Sequence, residues 1–75
     1  MLTPETCRAA RALVGMNQET LAERARVSWS TIRNFEAGRS MPVANNKMAI
    51  EQVLADAGVI FIAADDHGGV GVRLR

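Results

Sequence analysis

The chain has 75 residues and a net charge of +1, and 48% of its residues are hydrophobic, 23% charged and 4% aromatic. This indicates one small globular domain and excludes an intrinsically disordered chain. A single cysteine excludes an internal disulfide and fits a reducing cytoplasm, and no apolar run approaches the ~20 residues that span a bilayer.

The charges are unevenly distributed along the chain. Residues 1–47 carry seven basic and four acidic side chains, a balance of +3, whereas residues 48–75 carry two basic and four acidic ones, a balance of −2. A partner with phosphate groups is therefore expected to meet the first two thirds of the chain.

The first predicted element is a helix over Pro4–Val14. Thr3 can accept hydrogen bonds from the first free N–H groups, proline is tolerated at the first helical position, and Glu5 favours the positive end of the helix dipole. Gly15 can take the left-handed conformation that ends a helix. Apolar residues lie at helical spacing between these signals: Cys7, Ala10, Leu13 and Val14.

Two short helices are predicted next, separated by about three residues. Asn17 caps the first, which ends near Ala25, and Ser28 caps the second, which stops at Gly38. Two capped helices this close together cannot lie antiparallel over any length. They must cross steeply, which is helix-turn-helix geometry.

A fourth helix is predicted over residues 44–57, between Pro42 and Gly58. Its apolar register contains Met48, Ile50 or Glu51, Val53, Leu54 and Ala57.

The pattern then changes to that of a β-hairpin. Residues 59–62 form a β-prone apolar run, residues 65–69 are turn formers, and Val70, Val72 and Leu74 alternate with Gly71, Arg73 and Arg75. We therefore predict a helical domain over residues 1–58 and a hairpin tail over residues 59–75.

A sequence motif runs through the two short helices. Its parts are Asn17-Gln18 at a helix start, the Leu21-Ala22 pair, the Ser30-Thr31-Ile32 step and the Glu36-Ala37-Gly38 exit. Together they resemble the Cro/repressor-type (XRE) helix-turn-helix family of phage and bacterial regulators, over residues 8–58. The resemblance implies a mainly α, lambda-repressor-like four-helix bundle, which places its third helix in the DNA major groove. It also implies a sequence-specific transcription regulator that acts on double-stranded DNA in the cytoplasm, at the nucleoid.

The resemblance assigns roles to individual residues. The expected base contacts, at the start of the third helix, are Trp29, Ser30, Arg33 and Asn34. Asparagine can pair with adenine and arginine with guanine, whereas tryptophan offers an apolar contact, for instance with a thymine methyl, or one indole donor. The expected phosphate contacts are Asn17, Gln18, Ser28, Arg39, Ser40, Asn45, Asn46 and Lys47. Arg11 and Glu36 occupy the positions of an ion pair that ties the first helix to the third.

The sequence departs from the family pattern at two places. Where the family often has glycine in a left-handed turn, this chain has Arg26, at a cost of about 1–2 kcal/mol. Where the family commonly continues with more helix, this chain has the hairpin.

The hairpin is a candidate dimerisation element. Val70, Val72 and Leu74 form an apolar strand face, and an exposed edge strand can pair with the same strand of a second copy. Two recognition helices would then read half-sites about 34 Å apart. Alternatively, the hairpin folds back on its own fourth helix.

A second function stays open, that of a protein-binding anti-activator or antitoxin-like module on the same scaffold. The low net charge and the apolar Trp29 on the reading face favour it. No catalytic constellation, cofactor motif or small-molecule pocket is evident, and the sequence does not predict an enzyme. Asp65, Asp66 and His67 are adjacent turn residues, which rarely supply metal-ligand geometry.

Overall fold

The computed structural model describes residues 2–75, which form four α-helices and a two-stranded antiparallel sheet. The elements are α1 Pro4–Val14, α2 Gln18–Ala25, α3 Trp29–Glu36, α4 Ala44–Asp56, β1 Val59–Ile62 and β2 Gly71–Leu74. The predicted mainly helical fold with a C-terminal hairpin is therefore confirmed. The packing of the helices as a four-helix bundle stays a prediction.

Local hydrogen bonds explain why α1 begins and ends where it does. The Thr3 hydroxyl accepts from the Thr6 N–H at 3.0 Å, and the Thr6 hydroxyl accepts from the Thr3 N–H at 2.8 Å, which is a reciprocal capping box. Gly15 has φ 66°, and the N–H of Met16 donates to the carbonyl of Arg11 at 3.0 Å. The left-handed glycine thus satisfies carbonyls that would otherwise be free at the helix end.

The hydrophobic core joins all four helices. Its largest fully buried side chains are Phe35, Leu2, Leu21, Ile32, Ile50, Leu54 and Cys7. Among the helices, α2 packs against both α3 and α4, and α1 packs against α3. The short α2 and α3 are therefore held in position by burial of one face each, since helices of two turns are marginal on their own.

The predicted apolar register of α4 is wrong at Met48, which is 68% exposed. It is also wrong at Ala57, which is exposed just beyond the helix end. Ile50, of the alternatives Ile50 and Glu51, and the predicted Leu54 are fully buried. They lie four residues apart on one face, whereas Met48 precedes Ile50 by two residues, which turns it about 200° around the axis. The helix ends also differ slightly from the prediction, since α3 ends at Glu36 and α4 at Asp56.

The hairpin packs against α1 and α4. In its register, Val59 lies opposite Leu74 and Phe61 opposite Val72. Val59 is buried, and Phe61 and Val72 pack partly buried against the core. The sheet thus contributes one face to the same core as the helices.

The three residues expected to mediate dimerisation lie in different environments. Val72 is half-buried against the core, whereas Val70 is 41% and Leu74 46% exposed. Val70 lies just before β2, which begins at Gly71. The exposed pair is the part of this face that stays accessible to another chain.

The loop between the strands is a hydrogen-bonded turn. The Asp65 carboxylate accepts from the N–H groups of His67 at 2.8 Å and Gly68 at 3.1 Å. Among residues 2–75, no three His, Cys, Asp or Glu side chains form a group that could hold a metal ion. None of the helices described has the length and apolar character needed to cross a membrane.

Candidate nucleic-acid interface

The two helices of the motif are each started by a polar side chain. The side-chain Oδ1 of Asn17 accepts from the Thr20 N–H at 2.7 Å, and the Ser28 hydroxyl accepts from the Thr31 N–H at 3.2 Å. Between them, Arg26 adopts the left-handed conformation expected from the sequence, with φ 59°. The caps and this turn fix the angle at which α3 leaves α2.

The Glu36 side chain is buried, with only 3% of the residue exposed, and its carboxylate is bound by three side chains. Arg11 forms a bidentate ion pair with it, with distances of 2.7 Å from Nε to Oε2 and 2.6 Å from Nη2 to Oε1. Gln18 Nε2 donates to Oε1 at 3.0 Å, and the Cys7 thiol donates to Oε2 at 3.0 Å. The ion pair implied by the resemblance is therefore part of a larger network that joins α1, α2 and α3.

The network changes the ionisation of two buried groups. Burial tends to raise the pKa of Glu36, but the hydrogen bonds from Arg11, Gln18 and Cys7 outweigh it and lower the pKa below its ordinary value. Burial raises the pKa of the Cys7 thiol, and the nearby Glu36 adds to this. At neutral pH, Glu36 is therefore charged and Cys7 is a neutral thiol.

Gln18 connects this buried network to the surface of α3. Its amide oxygen accepts from the indole Nε1 of Trp29 at 3.2 Å, while its amide nitrogen donates to Glu36. Both polar ends of the Gln18 side chain are thus engaged within the protein. Around this contact, an open cavity is lined by Arg11, Asn17, Gln18, Glu19 and Trp29.

The side chains expected to contact bases share the outer surface of α3. Trp29, Ser30 and Arg33 are exposed, and Asn34 is half-buried. The guanidinium carbon of Arg33 lies 5.3 Å from the centroid of the Trp29 ring, a cation–π contact. The Ser30 and Ser28 hydroxyls lie 3.1 Å apart.

The residues expected to contact phosphates lie at the N-terminal ends of α2, α3 and α4 and in the loop after α3. Asn17, Ser28, Arg39, Ser40 and Asn45 are exposed, whereas Gln18, Asn46 and Lys47 are half-buried. Arg39 and Ser40 line one shallow cavity together with residues of α1 and α3, Pro4 and Phe35 among them. The expected phosphate contacts thus lie on three helix ends and one loop, and most of them are exposed.

Sequence reasoning missed three features of this region. Arg8 Nη1 donates to the backbone carbonyl of Glu36, where α3 ends. The Cys7 thiol and the Gln18 amide also bind the Glu36 side chain. One signal could have pointed to a shared partner. It is the spacing along α1 of Cys7, Arg8 and Arg11, which places these side chains near one another.

Comparison with known proteins assigns the fold to a family. None of the curated proteins compared with the chain matches it. A family model described as Helix-turn-helix matches residues 8–54, which is more than half of the chain and contains α2, α3 and both residues of the Arg11–Glu36 ion pair. The chain therefore belongs to the Cro/C1-type (XRE) helix-turn-helix family of DNA-binding regulatory domains.

Proposed function

We propose that the chain is a sequence-specific transcription regulator that reads base edges with the outer side chains of α3. The observation that carries this proposal is the exposed surface formed by Trp29, Ser30 and Arg33, which is joined to the start of α2 by the hydrogen bond between Trp29 and Gln18. Asn34, half-buried on the same helix, completes the proposed base contacts.

The first turn of α2 is the proposed anchor on a DNA phosphate. Asn17 satisfies the N–H of Thr20, and among residues 2–75 no acceptor engages the N–H groups of Gln18 and Glu19. Free N–H groups at a helix N-terminus bind anions. Since the Gln18 side chain is already bound on both ends, we assign the phosphate contact at this position mainly to the backbone.

The remaining phosphate contacts are proposed to surround the reading surface, which is the outer surface of α3 formed by Trp29, Ser30, Arg33 and Asn34. These phosphate contacts are Asn17, Ser28, Arg39, Ser40, Asn45, Asn46 and Lys47. Because the proposed partner is DNA, we also propose that the protein acts at the nucleoid, in the cytoplasm.

The hairpin is proposed as the dimerisation element, with residues 1–58 as the DNA-binding part. A two-stranded sheet has an unpaired edge on each strand, and the exposed Val70 and Leu74 extend the apolar surface beside β2. Pairing of two hairpins around a two-fold axis would present two α3 helices to a palindromic operator.

The salt dependence of binding tests the proposed function. Arg39 and Arg24 are both exposed, but Arg24 lies beside Val53 and Asp56 of α4 and is not among the proposed DNA contacts. On a duplex selected from genomic DNA by the wild-type protein, Arg39→Ala is expected to reduce the slope of log affinity against log salt by about 0.9, the effect of one lost phosphate contact. Arg24→Ala, which removes the same charge, is expected to leave the slope unchanged.

If log affinity falls with log salt at the same slope for both variants, Arg39 in the loop after α3 does not contact a phosphate. A wild-type protein that retards no duplex at low salt and micromolar concentration would overturn the proposed function as a whole.

One observation favours a second candidate, a protein-binding anti-activator or antitoxin-like module. Met41, Val43 and Met48 are between 64% and 68% exposed, and a DNA contact does not require them. Exposed apolar side chains of this kind are typical of protein interfaces. This candidate predicts no retardation of duplex DNA under the same low-salt conditions.

A further inference from the structure

Two side chains on the outer surface of α3 contact each other. Trp29 and Arg33 are four residues apart and therefore share one face of the helix. The Arg33 guanidinium carbon lies 5.3 Å from the centroid of the Trp29 ring, and both side chains are exposed, Trp29 by 48%. A planar cation thus lies against an aromatic ring where the proposed function places the DNA bases.

The Trp29 ring is held from the inside. Its indole N–H donates to the Gln18 amide oxygen at 3.2 Å, and Gln18 in turn donates to the buried Glu36 at 3.0 Å. An indole has a single hydrogen-bond donor. Because that donor is used within the protein, Trp29 has only its apolar ring to offer a base.

Arg33 has the opposite character. Across residues 2–75, no hydrogen bond or ion pair engages its guanidinium, so its N–H donors are available. Stacking on the ring restricts the guanidinium before it binds, which lowers the entropy cost of a bidentate contact. In the major groove, guanine presents the two acceptors, O6 and N7, that match this group.

Building on the proposed function, we infer that Trp29 and Arg33 act together as one reader of a thymine–guanine step. Arg33 donates to O6 and N7 of the guanine, and the Trp29 ring contacts the 5-methyl group of the adjacent thymine. Trp29 is then also a positioning residue for Arg33, because the ring holds the guanidinium in the orientation that guanine requires.

The test begins with duplexes selected from a random library by the wild-type protein. Affinities are then measured for the selected duplex, for one in which the guanine is replaced by adenine, and for one in which the thymine is replaced by deoxyuracil, which lacks only the 5-methyl group. The wild-type protein is expected to lose about tenfold with adenine and about threefold with deoxyuracil.

The variants separate the two roles. Arg33→Ala and Arg33→Lys are expected to lose most of the preference for guanine, because neither keeps the planar bidentate fork. Trp29→Ala is expected to lose the response to deoxyuracil and also to reduce the preference for guanine several-fold. Trp29→Phe, which keeps an aromatic face, is expected to restore part of that preference. Thermal unfolding of each variant verifies that it is folded.

Three results would overturn this inference while the proposed function stands: a selected motif without a thymine–guanine step, an unchanged guanine preference in Arg33→Ala, or an unchanged guanine preference in Trp29→Ala. A wild-type protein that binds no duplex would instead overturn the proposed function, and this inference with it.

Discussion

At the scale of single residues, Glu36 links the interior of the domain to the candidate interface. Its carboxylate is buried and accepts hydrogen bonds from the side chains of Arg11, Gln18 and Cys7. A buried charge is tolerated when it is paired and its lone pairs accept hydrogen bonds. Through Gln18, the same carboxylate helps to hold the first residue of α3.

The lowered pKa of Glu36 predicts a specific loss of stability in acid. The contribution of the ionised group is complete above the unfolded-state pKa of about 4.3 and is lost as the pH falls through the lower folded-state value. The melting temperature of the wild-type protein should therefore fall as the pH decreases from about 5 to 3. Glu36→Gln should melt lower at neutral pH and show a shallower fall.

Glu23→Gln is the matched control, because Glu23 is an exposed carboxylate on α2, beyond its first turn. It should follow the wild-type melting curve against pH. Parallel curves for Glu36→Gln and the wild-type protein would show that the ion pair does not account for the acid sensitivity.

At the scale of elements, the turn between α2 and α3 sets the direction of the reading helix. Arg26 is the one non-glycine residue with positive φ in the described part of the chain. An L-residue in this conformation carries strain that glycine does not.

Arg26→Gly is expected to stabilise the fold by about 0.5–1 kcal/mol, the strain relieved less the extra entropy of an unfolded glycine. Gly15→Ala is the matched comparison, since Gly15 also has a left-handed φ of 66° and empty space where a Cβ would lie. That change should destabilise the fold by about 1 kcal/mol. Urea unfolding measures the free energy of unfolding of both variants. A less stable Arg26→Gly would show that contacts of the Arg26 side chain stabilise the fold by more than the backbone strain destabilises it.

Elements whose ends carry local signals could be predicted from the sequence. The side chains of Thr3, Asn17 and Ser28 each accept the N–H of the third residue of α1, α2 and α3, and each helix begins directly after its cap. The start of α4 carries no such signal, because Val43 makes no side-chain cap. The apolar residues of α4 lie on most sides of the helix, so their spacing alone does not show that Met48 is exposed.

The internal contacts of the site were harder to predict. The sequence placed Gln18 at the start of α2 and Trp29 at the start of α3, and both positions are confirmed. Their hydrogen bond depends on the crossing of the two helices, and the stacking of Arg33 depends on a rotamer of Trp29. Neither is encoded in local spacing.

At the scale of the whole molecule, the hairpin and the reading surface occupy different parts of the fold. The hairpin packs against α1 and α4, and it leaves Trp29 and Arg33 of α3 exposed. A second copy could therefore pair with the hairpin while α3 contacts DNA.

The proposed dimer predicts twice the monomer mass by light scattering after size-exclusion chromatography. The double variant Val70→Lys and Leu74→Lys should be monomeric, because two like charges on each copy would meet at the paired edges. Met41→Lys is the control, since Met41 is exposed beside Arg39 and Ser40, near the N-terminal end of α1. A monomeric wild-type protein at high concentration would exclude the hairpin dimer and the half-site spacing derived from it.

The central claim, that α3 presents its outer side chains to DNA, is tested most directly by amide chemical shifts. Duplex DNA is added at low salt to the ¹⁵N-labelled protein. We predict the largest changes at the first turn of α2, along α3 and in the loop that contains Arg39, together with a shift of the Trp29 indole N–H. Changes confined to the hairpin and α4, or no change at micromolar protein, would contradict the account.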